Sequence, residues 1–436
     1  MIEQIFNYLE VFCDFLWGYF ALGLIVFVGS VFTIRSKCMQ IRTLPSVMTT
    51  FFGLCRPSSK EEAPLQGIHP LKAFFASIGG CIGTGNIITV CVAVQIGGPG
   101  SLFWLWVTAF FGMVLKYAEV YVGMTHRVRN DEGSFDGGPM YYLQKAFKWS
   151  WIPSLTAVLL CIYGVETHVF NTMTVAFAEN FDLPYYFIAS ILLALCLYAV
   201  VGGVDRVGTI CSAIIPLFVF LFLGMSLWIM VHHIDRIPGV FSLIFRTAFN
   251  PEAAGGGVFG GIAITMIQGA RQGAYSGDLG IGFAAIVNSE SSEECPVKQA
   301  SLNIFGIILD SFVICTMSVI LVLVTDVWDK PVSAVFMVQS ALETHFSHVN
   351  IFMPLFIFIL GYSTLISYFV VGTKCAKYLH PRYGRQIYWV CSAFVWILFS
   401  FVNVNQALVI MNIPGGFLLV LNTIGLYRLR KEIVYQ

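Results

Sequence analysis

The chain has 436 residues, of which 57% are hydrophobic and 11% are charged, and its mean hydropathy is +0.80. A soluble globular protein carries about 25% charged residues, so this composition indicates a polytopic membrane protein. The 24 basic and 24 acidic residues balance, so no polyanionic partner such as nucleic acid is implied. The twelve cysteines are scattered singly without metal-ligand spacing, and we interpret them as reduced apolar fillers.

Eleven segments are apolar and long enough to span a bilayer, which takes about 20 mostly apolar residues. In chain order they cover residues 11–34, 71–96, 100–126, 152–178, 184–202, 207–231, 258–287, 299–325, 350–373, 386–402 and 405–427. Lys and Arg concentrate in the loops that follow the odd-numbered segments. The positive-inside rule therefore predicts an N-terminus outside and a C-terminus in the cytoplasm. Amphipathic pieces at 41–54 and 331–346 are expected to lie along the interface.

When the first segment is set aside, ten remain, and the first of each five is rich in glycine. The two clusters read GGCIGTGN at 79–86 and QGARQGAYSGDLGIG at 268–282. Gly-interrupted spans at corresponding positions of two halves are typical of inverted-repeat secondary transporters. Close helix packing explains a single cluster as well, but two clusters in register favour the transporter. The predicted units are an extra helix and connector at 1–70, repeats at 71–231 and 232–427, and a cytoplasmic tail at 428–436.

A break at the membrane midplane exposes backbone groups that a continuous helix uses internally. Freed N–H groups bind a carboxylate and freed carbonyl groups coordinate a cation, with the half-helix dipoles adding partial charge. We expect the carbonyl groups of the first break, near Gly79 and Ile82, to contribute to a Na⁺ site. The candidates for binding a substrate carboxylate are Gly83, Thr84, Gly85 and Asn86.

Charged residues inside predicted spans mark functional sites by default. Asp278 lies in the second glycine cluster and is the first candidate to bind a substrate ammonium or a cation, with Arg271 interpreted as its structural partner. Glu166 lies in the middle of the fourth span and is the second candidate, for coupling; the alternative is a buried neutral carboxyl bonded to a neighbour. Lys116 and Glu119 are about one helical turn apart, which predicts an internal ion pair.

Hydroxyl side chains recur at helical spacing in the ninth span, which reads GYSTLISYF at 361–369. Ser363, Thr364 and Ser367 share one face and are candidates to complete a Na⁺ shell, because hard cations prefer oxygen ligands. The alternative is that each hydroxyl bonds a carbonyl of its own helix. His345 and His348 fall in an outside loop without companion ligands, and we expect both to be solvated.

Three motifs carry a family resemblance: GTGNI at 83–87, GGPGSLFWLWVTAFFGMVLKYAE at 97–119 and GGPMYYL at 137–143. They closely resemble the signature of the alanine or glycine:cation symporter family, also called the sodium:alanine symporters. The match extends over nearly the whole chain. The resemblance implies an all-α, leucine-transporter-like 5+5 inverted repeat in which the first helix of each repeat is broken. It also implies symport of alanine or glycine, with D-alanine included, into a bacterial or archaeal cell.

The resemblance also assigns roles to residues of the two breaks. Residues 84–86 match the family's substrate-contacting first break, and Ser276 matches the serine of its second-break pattern, S-N-E-A-G. That pattern here continues as Gly277 and Asp278, so an amide is lost and the carboxylate is one methylene shorter. Substrate contacts are therefore expected at Ser276, Gly277 and Asp278, with altered specificity.

The fourth and ninth spans depart further from the family pattern. The family's G-N-x-x-Q-x-N corresponds here to Val165, Glu166, Val169 and Asn171, so Asn171 is kept as a candidate substrate contact while a glutamine is lost at Val169. The usual Y-Y-G-E becomes VVGT at 370–373. These departures leave open which small amino acid is bound and whether Na⁺ or H⁺ is the coupling ion.

The expected function is Na⁺-coupled import of a small neutral amino acid by alternating access. The alternatives are a proton-coupled symporter of the same fold, with Glu166 or Asp278 as the coupling group, and a passive channel. An enzyme is not expected, because no GxSxG, HExxH or comparable motif lies at membrane depth. Expected partners are the amino acid, Na⁺ or H⁺ and the lipid bilayer; no organic cofactor and no other metal is implied, and a monomer is expected.

Overall fold

The computed structural model describes residues 2–56, 67–130, 133–249, 257–399 and 404–435. Part of the predicted connector, residues 57–66, and the end of the tenth predicted segment, residues 400–402, lie outside this range. Helices in the first part of the chain are α1 Ile2–Phe15, α2 Leu22–Arg35, α3 Met39–Arg42, α4 Leu44–Cys55, α5 Pro70–Cys81, α6 Thr89–Gly97, α7 Ser101–Thr125, α8 Pro139–Ala146, α9 Trp151–Tyr163, α10 Thr167–Phe181, α11 Tyr185–Val201 and α12 Gly203–His232.

The second part of the chain is also helical. Its helices are α13 Ile237–Phe249, α14 Gly257–Ser276, α15 Phe283–Ser289, α16 Pro296–Ile307, α17 Thr316–Val324, α18 Ala334–Glu343, α19 Val349–Leu379, α20 Gly384–Phe399 and α21 Val404–Arg428. Wider π-helical turns at Leu16–Ala21 and Ile308–Cys315 join α1 to α2 and α16 to α17. Two short strands, β1 Val128–Arg129 and β2 Phe135–Asp136, form an antiparallel hairpin.

Seven helical stretches of the described chain are long and apolar enough to cross a membrane, and one further pair passes the test as a bent span. Helices occupy the other predicted segments too, but α11 is a shorter apolar helix and α14 and α15 are separated by a break. A mostly helical architecture with several apolar spans is therefore confirmed. The count of eleven spans and the two-repeat division remain predictions.

The first break separates α5 from α6, which are bent by 53° relative to each other. Between them lies one 3₁₀ turn, Thr84–Asn86, preceded by Gly83 in an extended conformation. Asn86 holds this turn because its side-chain oxygen accepts a hydrogen bond from the Gly83 N–H at 2.9 Å. A Cβ atom at Gly83 would collide with the Thr364 hydroxyl oxygen, so glycine lets α19 approach the broken backbone.

The second break lies between the end of α14 at Ser276 and the start of α15 at Phe283. Asp278, Gly280 and Gly282 have φ angles of 47°, 70° and 97°, in the left-handed region that glycine tolerates best. Asp278 adopts this conformation without being glycine, which is uncommon and typical of functional sites. Both glycine clusters of the sequence therefore correspond to interruptions of the helix.

A third break, which the sequence analysis did not predict, divides the fourth apolar segment. The stretch Trp151–Ala178 is apolar and long enough for the span predicted at 152–178, but α9 ends at Tyr163 and α10 begins at Thr167. Glu166 between them is left-handed, with φ 49° and ψ 51°. No glycine cluster accompanies this break; Gly164 alone caps α9. The carboxylate at position 166 therefore projects from a turn and not from the side of a helix.

The polar ends of the broken helices are tied together on one face of the molecule. Lys374 of α19 forms ion pairs with Asp136 of β2, at 2.9 Å, and with Glu290, the residue after α15. Ile68, just before α5, pairs with the backbone of Ser291 through a short β-bridge. Burial raises the pKa of Asp136, but the Lys374 ammonium outweighs that effect and leaves the net pKa below its ordinary value. We call Lys374, Asp136 and Glu290 the basal ion cluster.

Candidate substrate and ion site

The three breaks meet at a small cavity in the centre of the helical bundle. The cavity has a volume of about 20 Å³, which leaves room for only one or two water molecules. Its walls come from the first break, the second break, the turn at Glu166 and α19. The lining residues are Gly80, Cys81, Gly83, Thr84, Gly85, Tyr163, Glu166, Val169, Tyr275, Ser276, Asp278, Thr364 and Tyr368.

Two carboxylates line this cavity. Asp278 and Glu166 are each 2% exposed. Asp278 accepts a hydrogen bond from the Cys81 thiol at 3.4 Å, whereas the Oε2 atom of Glu166 has no hydrogen-bond partner among the described residues. Buried carboxylates are costly unless they are paired, so this arrangement favours a bound cationic group in the cavity.

Lys116 provides the nearest fixed positive charge, but its partner is not the predicted one. The ammonium donates to the carbonyl oxygens of Gly277 at 2.9 Å and Asp278 at 3.3 Å. Glu119 instead accepts hydrogen bonds from the Ala285 N–H and the Asn422 amide, both at 3.3 Å. The predicted Lys116–Glu119 pair is therefore wrong. The carbonyl groups released by the second break carry the negative end of the α14 dipole, and they attract the ammonium more directly.

Arg271 also has a different partner from the one predicted. Its guanidinium pairs with Asp14 of α1 at 2.6 Å rather than with Asp278. Asp14 belongs to the first helix, which the sequence analysis set aside as an extra span. The interpretation of Arg271 as the partner of Asp278 is corrected, because α14 turns this side chain toward α1.

Asp310 is a site residue that the sequence analysis missed. It accepts hydrogen bonds from the Asn86 amide at 2.5 Å and from the Ser276 hydroxyl at 2.7 Å, and it is fully buried. One carboxylate thereby links the first and second breaks. It lies in the π-helical turn Ile308–Cys315. A signal was present in the sequence, since Asp310 is an acidic residue within the eighth predicted span.

The predicted ion ligands are only partly brought together. The Thr364 hydroxyl donates to the Gly79 carbonyl oxygen at 3.1 Å, and a Cβ at Gly79 would lie 2.9 Å from the Ser367 hydroxyl oxygen. Ser363 instead donates to the Leu360 carbonyl of its own helix at 2.9 Å. Ile82 follows the last residue of α5, and its backbone has left the helical conformation. The structure thus brings the Thr364 hydroxyl to the Gly79 carbonyl oxygen and the Ser367 hydroxyl close to the Gly79 backbone.

Other candidate substrate residues lie just outside the cavity wall. Asn86 directs its side chain toward Asp310 and Gly83, and its role in the structure is to hold the turn. Gly277 presents its carbonyl to Lys116. Asn171 is buried in α10 beyond the residues that line the cavity. These three support the wall, whereas Gly83, Thr84, Gly85, Ser276 and Asp278 form part of it.

Comparison with known proteins places this arrangement in a family. The sequence profile of the sodium:alanine symporter family matches residues 2–436. The chain belongs to the sodium:alanine symporter family. It is 31% identical to an uncharacterized transporter of Haemophilus influenzae, with 100% of this chain and 95% of that one covered. It is 28% identical to the sodium/alanine symporter AgcS of Methanococcus maripaludis, with 97% and 94% covered.

The fold of this symporter family member also resembles that of a solved transporter. A mutant form of the manganese transporter of Eremococcus coleocola superposes with a TM-score of 0.54 at 10% sequence identity. The alignment covers 83% of this chain and 78% of that one. At this identity the likeness shows the fold alone. Family and fold together establish the chain as an integral membrane transporter.

A wider vestibule lies next to the central cavity of the transporter. It has a volume of about 210 Å³, and Tyr275 lines both spaces. The Gln272 amide donates to the Gly85 carbonyl oxygen at 3.0 Å, and the Thr89 hydroxyl donates to Gln272 at 2.8 Å, so polar groups continue from the vestibule to the first break. The Tyr275 ring is the boundary between the two spaces.

Proposed function

We propose that the protein imports a small neutral amino acid, alanine or glycine including D-alanine, together with Na⁺ by alternating access. The observation that carries the proposal is the meeting of two broken helices at a small central cavity lined by two carboxylates. Unwound backbone at membrane depth is tolerated where it lines such a cavity. Family membership supports the transport class, and we add the identity of the amino acid and of the coupling ion as proposals.

The substrate carboxylate binds at the first break. Neither the Thr84 nor the Gly85 N–H has a hydrogen-bond partner among the described residues, so both are available. The ammonium then lies toward Asp278 and the carbonyl groups near it, which supply the missing negative charge. Val169 and the ring of Tyr275 close the remaining space. A cavity this small favours a hydrogen or methyl side chain over a larger one.

The coupling Na⁺ binds where α5 and α19 converge. The carbonyl groups of Gly79 and Ile82 and the hydroxyls of Thr364 and Ser367 supply the oxygen ligands that a hard cation prefers. Ser363 is a weaker candidate because its hydroxyl is engaged within its own helix. An ion at this point stabilises the first break, so ion and substrate each favour the occluded state.

The proposed architecture is eleven spans with two inverted repeats at 71–231 and 232–427, acting as a monomer in the cytoplasmic membrane of a bacterium or archaeon. The unit at 1–70 contributes the extra helix and connector, and 428–436 forms a tail. With the N-terminus outside, the basal ion cluster lies on the cytoplasmic face. Lys374 then holds the ends of the broken helices closed against α19 while the vestibule faces outward.

A proton-coupled symporter is the second candidate, and Glu166 favours it. Its carboxyl is buried at a break and keeps one oxygen atom without a partner among the described residues. A proton on that atom would neutralise the site in place of a sodium ion. The two candidates therefore differ in which gradient drives uptake.

The test is accumulation of labelled L-alanine, D-alanine and glycine in proteoliposomes, under an inward Na⁺ gradient or, separately, an inward H⁺ gradient. Accumulation driven by Na⁺ and abolished in Asp278→Asn is the expected result. Uptake driven only by H⁺ and lost in Glu166→Gln would establish the second candidate. Equilibration without accumulation would indicate a channel and overturn both.

A further inference from the structure

The vestibule adjoins a second, mostly apolar space, which we call the side pocket. The side pocket has a volume of about 110 Å³, and residues of α6, α10, α18, α19 and α21 form its walls. Thr89, Val92 and Leu408 line the vestibule and the side pocket alike. A molecule that enters the vestibule can therefore place one of its groups in the side pocket. Further apolar members of the side-pocket wall include Ile88, Val175, Phe336 and Ile357.

The vestibule itself carries one charge of each sign. Its charged lining residues are Arg271 of α14 and Glu10 of α1. One N–H of the Arg271 guanidinium donates to Asp14 at 2.6 Å, and a guanidinium has five N–H donors, so donors remain for a second carboxylate. Glu10 is exposed and takes part in none of the ion pairs between described residues. The vestibule thus offers a ligand one cationic and one anionic partner.

These two charges match the zwitterionic part of an α-amino acid. A guanidinium binds a carboxylate through parallel N–H bonds, and a glutamate carboxylate accepts N–H bonds from an ammonium. Small-molecule sites typically combine apolar walls with a few polar groups that fix the orientation of the ligand. An amino acid with its carboxylate on Arg271 and its ammonium near Glu10 can direct its side chain past Val92 into the side pocket.

The side pocket and the central cavity accept side chains of different sizes. An apolar cavity of about 150 Å³ holds one benzene molecule, so the side pocket, at about 110 Å³, takes a branched four-carbon side chain such as that of leucine. The central cavity, at about 20 Å³, leaves no room for such a side chain. Burial of an apolar side chain favours binding in proportion to the area removed from water. The larger amino acid is therefore expected to bind outside the central cavity.

We propose that the vestibule and the side pocket together form a second binding site, which takes amino acids with a branched apolar side chain such as L-leucine without transporting them. Arg271 and Glu10 bind the charged groups, and the side pocket binds the side chain. Binding at this site does not depend on which amino acid or ion is transported. Its effect on uptake rests on the proposed function.

An occupant of this second site obstructs the way to the central cavity. Tyr275 lines both the vestibule and the central cavity, so a transported substrate passes this ring on its way in. In the proposed orientation, L-leucine in the vestibule lies between the outside solution and the Tyr275 ring. We therefore expect L-leucine to inhibit the uptake of glycine without being accumulated itself.

The test is equilibrium binding of labelled L-leucine to the purified full-length protein in lipid nanodiscs, which contain no detergent to compete for the side pocket. We expect one saturable site in the wild type and in Asp278→Asn, because Asp278 lines the central cavity and neither of the other two spaces. Glu10→Gln removes the charge that attracts the ammonium, and Val175→Phe fills the side pocket. Each should raise the dissociation constant by roughly tenfold or more. Glu294→Gln and Val231→Phe are the matched controls, since both residues are exposed and line neither space.

Two analogues of L-leucine test the charge assignment on the unmodified protein. 4-Methylpentanoate lacks the ammonium, and L-leucinamide lacks the carboxylate. Each should displace labelled L-leucine roughly tenfold more weakly than L-leucine does. Displacement by either analogue at the concentration that suffices for L-leucine would contradict the roles of Arg271 and Glu10.

Other results would overturn the proposal outright. These are a wild type without saturable L-leucine binding, a Glu10→Gln variant that binds L-leucine as the wild type does, and binding that is lost in Asp278→Asn. Gradient-driven accumulation of L-leucine would also overturn it, because L-leucine would then be a substrate of the central cavity. Thermal unfolding of each variant checks that the substitution leaves the fold intact.

The effect on uptake is measured separately, as glycine accumulation in proteoliposomes with and without L-leucine outside. We expect inhibition in the wild type and roughly tenfold weaker inhibition in Glu10→Gln, whereas equal inhibition of the two would contradict the site. If neither protein accumulates glycine under any gradient, the proposed function fails, and the binding measurement still decides whether the second site exists.

Discussion

Replacing Lys116 with methionine tests the environment assigned to the second break. The ammonium is 1% exposed and donates to the Gly277 and Asp278 carbonyl oxygens at 2.9 and 3.3 Å. Methionine keeps much of the side-chain length and removes the donor. Gly277 then keeps only the long contact from the Cys81 thiol, at 3.8 Å, and Asp278 loses its ammonium donor. A buried carbonyl without a good partner costs about 1–3 kcal/mol, so Lys116→Met should lower the free energy of unfolding by about 2–4 kcal/mol.

The assay is SDS-titrated unfolding of the purified protein followed by tryptophan fluorescence. Lys72→Met is the matched control, because Lys72 forms a shorter ion pair with Asp205, at 2.7 Å, but the two side chains are 36% and 53% exposed. An exposed pair contributes about 0–1 kcal/mol, so the control should change stability little. The two lysines therefore differ in their contribution to stability because of burial and not because of bond length.

The Glu119→Gln variant tests whether Lys116 is paired with Glu119 instead of with the carbonyl groups of the second break. Glutamine keeps one acceptor oxygen for the Ala285 N–H but turns its NH2 group toward the Asn422 amide, so one hydrogen bond is lost and the structure predicts a loss of about 0.5–1.5 kcal/mol, smaller than that of Lys116→Met. If Lys116 were paired with Glu119, the Glu119→Gln loss would equal that of Lys116→Met. The double variant would then be no less stable than either single one.

Three further changes test the ion site, the coupling carboxyl and the basal ion cluster. Thr364→Val should raise the Na⁺ concentration for half-maximal uptake by roughly tenfold or more, because it removes an ion ligand, whereas Ser363→Ala should leave it unchanged; equal effects would contradict the site. Glu166→Gln should retain Na⁺-driven uptake, and loss of that uptake would make Glu166 essential to binding. Lys374→Met removes the cationic partner of Asp136 and Glu290, so it should speed labelling of the Cys81 thiol from the cytoplasmic side by roughly tenfold or more. A labelling rate no faster than that of Lys72→Met would contradict the proposal that Lys374 keeps the cytoplasmic side closed.

The sequence predicted the helices and two of the three breaks for identifiable reasons. Apolar segments of sufficient length must be helical in a membrane, so their positions follow from composition alone. The breaks at 79–86 and 277–282 carry clustered glycines, which few other features explain. The break at Glu166 has no such cluster, because a single non-glycine residue adopts the left-handed conformation there. Tertiary contacts stabilise this conformation of Glu166, and a sequence pattern does not contain information about them.

Side-chain partners were predicted less well than backbone features. Lys116 and Glu119 have the spacing of a helical pair, yet the ammonium of Lys116 bonds the carbonyl groups of the broken helix instead. Arg271 finds Asp14 across more than 250 residues of sequence, and His345 finds two histidines across more than 100. Sequence spacing identifies neighbours on one helix, whereas the packing of different helices determines these partners. Asp310 was predictable, because a buried acid in an apolar span needs donors.

The position of the first helix has a consequence for the order in which the protein is made. The Trp17 indole donates to the Asn412 carbonyl oxygen at 2.9 Å, across a sequence separation of 395 residues. At about 5–20 residues per second, ribosomal synthesis delivers that partner about 20–80 s after Trp17. Until then the stretch is held by its own hydropathy, which averages 2.1 in its most apolar window, and by packing against α7, where Gly29 lies against Phe111. Tyr8–Arg35 therefore reaches its complete set of neighbours only after α21 has been made.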